Sequence, residues 1–333
     1  MRPKNPMLDY FIPGSYSFMK PELLAERQQD FPLMLNIETA FSCNLRCFFC
    51  PPHNGTSRGE KMRAVGMMDW ALYVKIIDEC ASEGPLLVLN MHKDGEPTLH
   101  PRFCDMLTYA KTKNAAEVIH FNTNAVFEDD ELIDKILDSG VDDITFSIDA
   151  FDSARYRRTK GRDKLETVVR NVEKFYERRD QKNLQFPYMR VKMIGTEENR
   201  EEFALFKKRW EPVADEVQCQ QIHNFAGGLE LNRTEDLARY ACEFPFYSTA
   251  VNTDGVVALC HRDYNGKDIM GNVADTSIKE VYNSRKYQEY LHALRDNRTD
   301  NLPICRTCDN WKDGPDLGDA LTEGLIAARE RYL

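Results

Sequence analysis

Long apolar runs are missing from this 333-residue chain, so a helical membrane span is excluded and a soluble protein is expected. Its first residues, MRPKNPMLDYFIPGS, contain no apolar stretch that closes at a small-residue cleavage site, and no secretory signal is expected. Basic residues are in deficit. The 54 Asp and Glu outnumber the 44 Lys and Arg, giving a formal charge of -10, and this disfavours a non-specific nucleic-acid binder. A local basic run, Arg155, Arg157, Arg158 and Lys160, is the one feature that points the other way. No self-similarity at a period of about 20 to 50 residues is present, which excludes a solenoid.

What the chain does have is a hydrophobic content of 42%, enough for a substantial core and a second small domain, and ten cysteines. Without an export signal, those cysteines imply a reducing compartment, the cytoplasm, where they act as metal ligands or thiols rather than disulfides.

From about residue 32 to 225, short apolar runs alternate with amphipathic stretches. The runs are 33–38, 86–91, 118–123, 143–149, 189–194 and 216–222. Between the first two lies a helical pattern with Leu72, Ile76 and Ile77 on one side, Asp69 as N-cap and Gly84 as stop. A second helix closes at Gly140, and a third carries Leu165, Val168, Val169, Val172 and Phe175 as a core-facing stripe. Strand alternating with helix predicts an α/β protein of parallel units, and six units fit an open, partial (β/α)6 barrel. In such architectures, functional residues collect at the C-terminal ends of the strands. The expected organisation is an N-terminal arm at 1–30, the barrel at 31–230, and a small Cys-rich domain at 231–333 that ends in a helix from about residue 320.

Just beyond the first expected strand stands CNLRCFFC, with Cys43, Cys47 and Cys50 on one loop. Their neighbours Asn44, Arg46, Pro51 and Pro52 argue against ordinary core thiols. Three thiolates suit a cuboidal iron–sulfur cluster with one iron left open to a non-protein ligand. With His53 they also suit a Cys3His zinc site, and the triplet alone leaves both readings standing. Four later cysteines, Cys242, Cys260, Cys305 and Cys308, form a G-x4-C then C-x2-C set that matches either a fully ligated [4Fe–4S] cluster or a zinc ribbon.

The C-x3-C-x2-C spacing, followed by Asp94-Gly95-Glu96-Pro97 at the end of the second expected strand, resembles the radical S-adenosylmethionine (SAM) superfamily. The resemblance covers residues 33 to 312. It implies a [4Fe–4S] cluster held by Cys43, Cys47, Cys50 and SAM, with the DGEP segment holding the methionine amino group through its backbone and carboxylate. Asp94 replaces the usual first glycine, a change a backbone contact tolerates where no positive φ is needed. Phe49 occupies the place of an aromatic beside the adenine. Asn122 and Asn124, with Ser147 and Asp149, resemble the polar strand ends that reach ribose and carboxylate, and Arg158 and Lys160 are candidates to pair with that carboxylate. The late cysteines resemble the auxiliary-cluster module called a twitch domain, the shortened form of SPASM. Cys242 lies farther from Cys260 than usual, which makes Cys219 the reserve ligand.

The implied chemistry is reductive SAM cleavage to a 5′-deoxyadenosyl radical that abstracts hydrogen from a small polar substrate. An auxiliary [4Fe–4S] cluster able to accept an electron favours oxidation of a secondary alcohol of a sugar or cyclitol to a ketone. Epimerisation with Cys219 as hydrogen donor and modification of a peptide are alternatives, as is a non-catalytic metal-binding module. His223, Arg190 and Lys192 are candidates to bind substrate or move a proton, with His223 favoured. A reducing protein such as flavodoxin or ferredoxin is the expected electron source.

Overall fold

The computed structural model describes residues 3–12, 18–27, 30–54, 61–127, 130–231 and 238–330. Six strands, β1 (Met34–Ile37), β2 (Leu86–Asn90), β3 (Ala116–Thr123), β4 (Asp143–Ser147), β5 (Tyr188–Gly195) and β6 (Glu216–Gln221), pair in parallel in chain order. A short helix α1 (Pro21–Glu26) precedes them. The connections carry α2 (Trp70–Ser82), α3 (Phe103–Thr112), α4 (Asp130–Asp138), α5 (Ser153–Lys160), α6 (Leu165–Gln181) and α7 (Phe203–Trp210). Both faces of a parallel sheet are covered, so β1 and β2 are buried along their whole length, apolar but for Asn36 and Asn90.

The helices form for the reasons their sequences give. Asp69 accepts hydrogen bonds from the backbone N–H groups of Ala71 and Leu72 and caps α2. Gly84 and Gly140, which follow α2 and α4, both take positive φ, the backbone state glycine adopts without steric cost. The buried face of α2 is Tyr73, Ile76, Ile77 and Cys80, with Leu72 half-buried beside it. In α6 the core face is Leu165, Val168, Val172 and Phe175, and Val169 is only partly buried.

Past residue 238 lie α8 (Phe244–Tyr247), β7 (Ser248–Val251), β8 (Val256–Ala258), β9 (Ile269–Asn272), α9 (Ile278–Tyr282), α10 (Arg285–Arg295) and α11 (Gly318–Glu330). β7 adds to β1 in parallel, and β8 and β9 continue the sheet antiparallel, giving the order β6-β5-β4-β3-β2-β1-β7-β8-β9. This explains the open barrel: the free edge of β1, which β6 would need in order to close the ring, is taken by β7. The N-terminal segment packs on both halves. Asn5 Nδ2 donates to Glu216 Oε2 on β6 at 3.0 Å, while Met19 N donates to Glu243 Oε1 at 3.1 Å and Phe18 meets Phe244 at 5.2 Å.

Candidate active site and auxiliary metal centre

Inward-facing residues of β1 to β6 surround a cavity of about 280 Å3, near the lower end of the ~300–1,000 Å3 usual for small-molecule sites. Period-two alternation lifts polar side chains into it in register. Asn36 sits opposite Asn90, and Asn90 opposite His120. Higher up, Asn122, Thr145 and Arg190 are aligned, and then Ser147, Lys192 and Gln218. Asn122, Ser147, Arg190 and Lys192 of this wall were legible in the sequence, whereas Asn36, Asn90, His120, Thr145 and Gln218 were passed over; polar residues at matched positions inside otherwise apolar strands were the signal for them.

The cysteine loop crosses the mouth, and Cys43, Cys47 and Cys50 all line the cavity. It is held from two sides. Arg46 N and Phe48 N donate to the carbonyls of Lys160 and Thr159 at 3.0 and 3.1 Å, and Glu96 N donates to Ser42 O at 2.8 Å. A Cβ on Gly95 would stand 1.9 Å from the Ala40 carbonyl oxygen, so only glycine permits this approach. Burial pushes the Cys43 thiol up to about 11, with the Glu96 carboxylate adding to the shift. His53 lies against the loop, with its Nε2 2.5 Å from the Asp94 carbonyl.

Of the residues expected to bind a cofactor, Phe49, Asp94, Gly95, Glu96 and Asn122 line the cavity, as do Asn124, Ser147, Asp149 and Lys160. Lys160 pairs with Asp149 and donates to the Ser147 carbonyl at 2.8 Å; burial works against its charge, and Asp149 outweighs that. Both Glu96 carboxylate oxygens are engaged. Thr98 and Thr123 Oγ1 donate to Oε1 at 2.7 and 2.8 Å, and Asn124 N donates to Oε2 at 2.7 Å. The carboxylate therefore fixes strand ends while it still lines the cavity.

Four expectations need correction. Arg158 is exposed on α5 and lies outside the cavity, because the helix turns its neighbour Lys160 inward instead. Pro97 is buried as the first residue of a 3-10 turn and does not line the cavity. Cys219 is turned away: Gln218 and Gln220 face the cavity, so the pleat sends Cys219 to the other face, against Gly195. The basic run is no patch, since Arg155 is paired with Glu198 and Glu202 and Lys160 is buried with Asp149.

A second, smaller chamber lies beside the first. Cys242, Cys260, Cys305 and Cys308 all line it, among Phe244, Pro245, Ile304 and Trp311. Burial raises all four thiols, Cys260 to about 12, and they lie near enough to act on one another electrostatically. Cys242 therefore lines the same chamber as the other three, and Cys219 does not. Four thiols in an apolar chamber, flanked by Arg239 and Arg262, fit a fully ligated cubane cluster, whose net negative charge those cations offset.

Arg262 lines both chambers. Its backbone N–H donates to Cys260 Sγ at 3.3 Å, and its guanidinium contacts His223 Nε2. His223 lines the main cavity, but the nitrogen a base would use is occupied by Arg262 in this state.

The family model for the radical SAM superfamily matches residues 37–206, and that for an iron–sulfur cluster-binding domain, SPASM, matches residues 242–309. The chain belongs to the radical SAM superfamily. Its cofactors are accordingly SAM and a [4Fe–4S] cluster, with further iron–sulfur in the SPASM region. Among relatives, a tungsten-containing aldehyde ferredoxin oxidoreductase cofactor-modifying protein of Pyrococcus furiosus is 30% identical over 166 residues, 50% of this chain and 44% of that protein. The chain thus spans under half of that relative. The S-adenosyl-L-methionine-dependent 2-deoxy-scyllo-inosamine dehydrogenase of Niallia circulans is 21% identical over 284 residues, 83% of this chain and 92% of that enzyme. Among solved structures, BtrN in complex with AdoMet and 2-DOIA matches with TM-score 0.56 at 18% identity, over 83% of this chain and 92% of that one. Native anSMEcpe with bound AdoMet matches with TM-score 0.60 at 16% identity, over 90% and 97%. These structural likenesses establish the fold. Among the described residues no helix is long and apolar enough to cross a membrane.

Proposed function

We propose that this radical SAM enzyme oxidises a secondary alcohol of a small sugar or cyclitol to a ketone. When bound, the cluster and SAM supply a radical able to remove hydrogen from an unactivated C–H bond, and an auxiliary cluster supplies an acceptor for one electron. Cys43, Cys47 and Cys50 are the residues we assign to the first cluster, and Cys242, Cys260, Cys305 and Cys308 to a single auxiliary cluster. The backbone at Asp94 to Glu96, the Phe49 ring, and Asn122, Asn124, Ser147, Asp149 and Lys160 are assigned to SAM.

The observation that carries the reading is the shared wall. Four thiols leave no open position for substrate on an auxiliary cubane, and among the described residues Arg262 alone lines both that chamber and the main cavity. The inner wall of Asn36, Asn90, Thr145, Gln218 and Gln220 offers amide and hydroxyl partners suited to a polyol. His223 is the residue we assign to receive the hydroxyl proton, freed when substrate engages Arg262. The near-full-length likeness to a cyclitol dehydrogenase supports the same reading. Epimerisation through Cys219 loses its hydrogen donor, because that thiol lies off the cavity. We place the enzyme in the cytoplasm, with a flavodoxin- or ferredoxin-like protein as its reductant.

The test is anaerobic reconstitution of the native chain and of a Cys43/Cys47/Cys50→Ala variant. About eight irons falling to about four supports two cubane clusters. Loss of all iron in the variant removes the electron acceptor and the oxidation with it.

A further inference from the structure

The cysteine loop has an inner face on the cavity and an outer face on solvent, and the outer face is basic although the chain carries a net charge of -10. Arg46 and Phe48, which flank Cys47, are both exposed, Phe48 to 51%. The loop is held on the C-terminal end of α5, where Arg46 N and Phe48 N donate to the Lys160 and Thr159 carbonyls at 3.0 and 3.1 Å. The approach is so close that a Cβ on Gly161 would stand 2.5 Å from the Arg46 carbonyl oxygen. Arg157 and Arg158, exposed on the last turn of α5, and Arg162, exposed just past it, are thereby brought to the edge of the loop. The run 155–160 makes no patch by itself. Its two exposed members make one with Arg46 and Arg162, which come from outside it.

Arg158 and Arg162 form no ion pair among the described residues, and Arg157 has Asp163 at 3.9 Å. Arg46 directs Nη1 to the carbonyls of Cys43 and Leu45, at 2.8 and 2.7 Å, rather than to a carboxylate. Beside these groups runs an open groove of about 730 Å3, lined by Asn44, Val126, Phe127, Leu132 and Arg162. Lys135 and Asp105, on the same groove, are paired with Glu131 and Arg102. Asn44 is the wall between groove and cysteines. Its Oδ1 accepts from Asn124 Nδ2 at 2.7 Å, and that same Nδ2 lies 3.8 Å from Cys43 Sγ. On the other flank the Phe48 ring meets the ring of Phe49, which lines the cavity, at 5.2 Å. The outer face thus lies within two side chains of the cysteine site on both flanks.

An acidic chain repels an acidic partner over most of its surface, and a basic patch then steers the encounter to one place. Arginines around an exposed aromatic ring are also the residue types enriched at protein contacts. We propose that this face, formed by Arg46, Phe48, Arg157, Arg158 and Arg162, docks the acidic electron-donor protein that reduces the first cluster. This docking rests on the reading of Cys43, Cys47 and Cys50 as ligands of that cluster and of a flavodoxin- or ferredoxin-like protein as reductant, and adds the place of contact. The donor is oxidised by one electron, the [4Fe–4S]2+ state is reduced to [4Fe–4S]+, and no bond is made or broken in that step. The oxidised donor must then leave, which suits a small contact of charged groups, below the ~1,200 Å2 typical of redox encounters.

The test uses the anaerobically reconstituted holoenzyme and two probes, an acidic flavodoxin and an acidic ferredoxin. Calorimetry reads binding of the oxidised probe, and 5′-deoxyadenosine reads SAM cleavage driven by the reduced probe or by dithionite. At least one probe is expected to bind the native enzyme at low salt and to bind more weakly as salt screens the contact. Arg158→Glu with Arg162→Glu is expected to weaken binding by about tenfold or more and to slow probe-driven cleavage, while dithionite-driven cleavage and iron content stay within about twofold of native. Lys208→Glu with Arg285→Glu, the same charge change on α7 and α10, is expected to leave every readout near native. If that control weakens binding equally, net charge rather than this face carries the affinity, and the proposal fails. No binding by either probe, or binding that the Arg158 and Arg162 reversals leave unchanged, overturns it as well. So does an equal loss with dithionite, which marks damage to the cysteine site instead. Ketone formation enters none of these readouts, so failure of the proposed oxidation leaves the docking face standing, and failure of the face leaves the oxidation.

Discussion

The backbone N–H of Asn124 donates to Glu96 Oε2 at 2.7 Å, joining the end of β3 to the DGEP turn that follows β2. The same asparagine passes the linkage on: its Nδ2 donates to Asn44 Oδ1 at 2.7 Å, within the cysteine loop. One buried carboxylate thus ties together the three segments that carry the sequence signatures. Burial raises its pKa, and the donors from Asn124, Thr98 and Thr123 oppose that rise.

Replacing Glu96 with Gln puts an amide N–H₂ where a carboxylate oxygen now accepts, facing the N–H of Asn124 or the donors of Thr98 and Thr123. We expect a loss of about 1–3 kcal/mol in stability, the range for a buried donor left unsatisfied, and weaker SAM binding. Chemical denaturation and a SAM titration read the two effects; unchanged stability would show that these bonds carry no net weight.

Gly95→Ala forces a methyl group into the Ala40 carbonyl, which is backbone and cannot rotate aside. The expected outcome is a cysteine loop that no longer closes on the DGEP segment, with about 3 kcal/mol or more lost to overpacking. Iron content should fall by about half, since the auxiliary cysteines stand on other segments. Full iron loading in this variant would contradict the close approach.

Cys219→Ala leaves SAM cleavage and product formation within about twofold of native, because the thiol faces away from the cavity and loses only packing against Gly195. Loss of product with retained SAM cleavage would revive the hydrogen-donor role and, with it, epimerisation. Quantifying 5′-deoxyadenosine and product side by side distinguishes the two.

The pH dependence of stability follows in part from Lys192. Burial lowers its ammonium from 10.5 to about 8, so between about 8 and 10.5 the unfolded chain holds the extra proton and the stability contribution of this group rises with pH. Chemical denaturation of the native chain and of Lys192→Met should show the native chain gaining on the variant across that window. A constant difference between the two would show that Lys192 titrates alike in the folded and unfolded chain.

Much of the fold was legible from local pattern. All six runs are strands, to within about two residues at each end, because the strand face packed under the helices must be apolar at every second residue even where the other face is polar. The Asp69 cap and the Gly84 and Gly140 stops follow from side-chain and backbone chemistry that acts within a few residues. Cys43, Cys47 and Cys50, being neighbours in sequence, could be read as one site without a fold.

What needed the tertiary structure was everything that depends on distant segments meeting. That Cys242 joins Cys260, Cys305 and Cys308 is decided by how the chain packs beyond β7, and spacing alone left Cys219 in competition. Which way Cys219 points is a matter of register, where a shift of one residue would exchange it with Gln218. The addition of β7 to β1, which holds the barrel open, is a pairing between residues more than two hundred positions apart and leaves no trace in either strand's composition. Arg262 carries no motif. Its place on the wall between two chambers exists only once the six strands and the SPASM region have packed together, because a shared wall is a property of a volume and not of a segment.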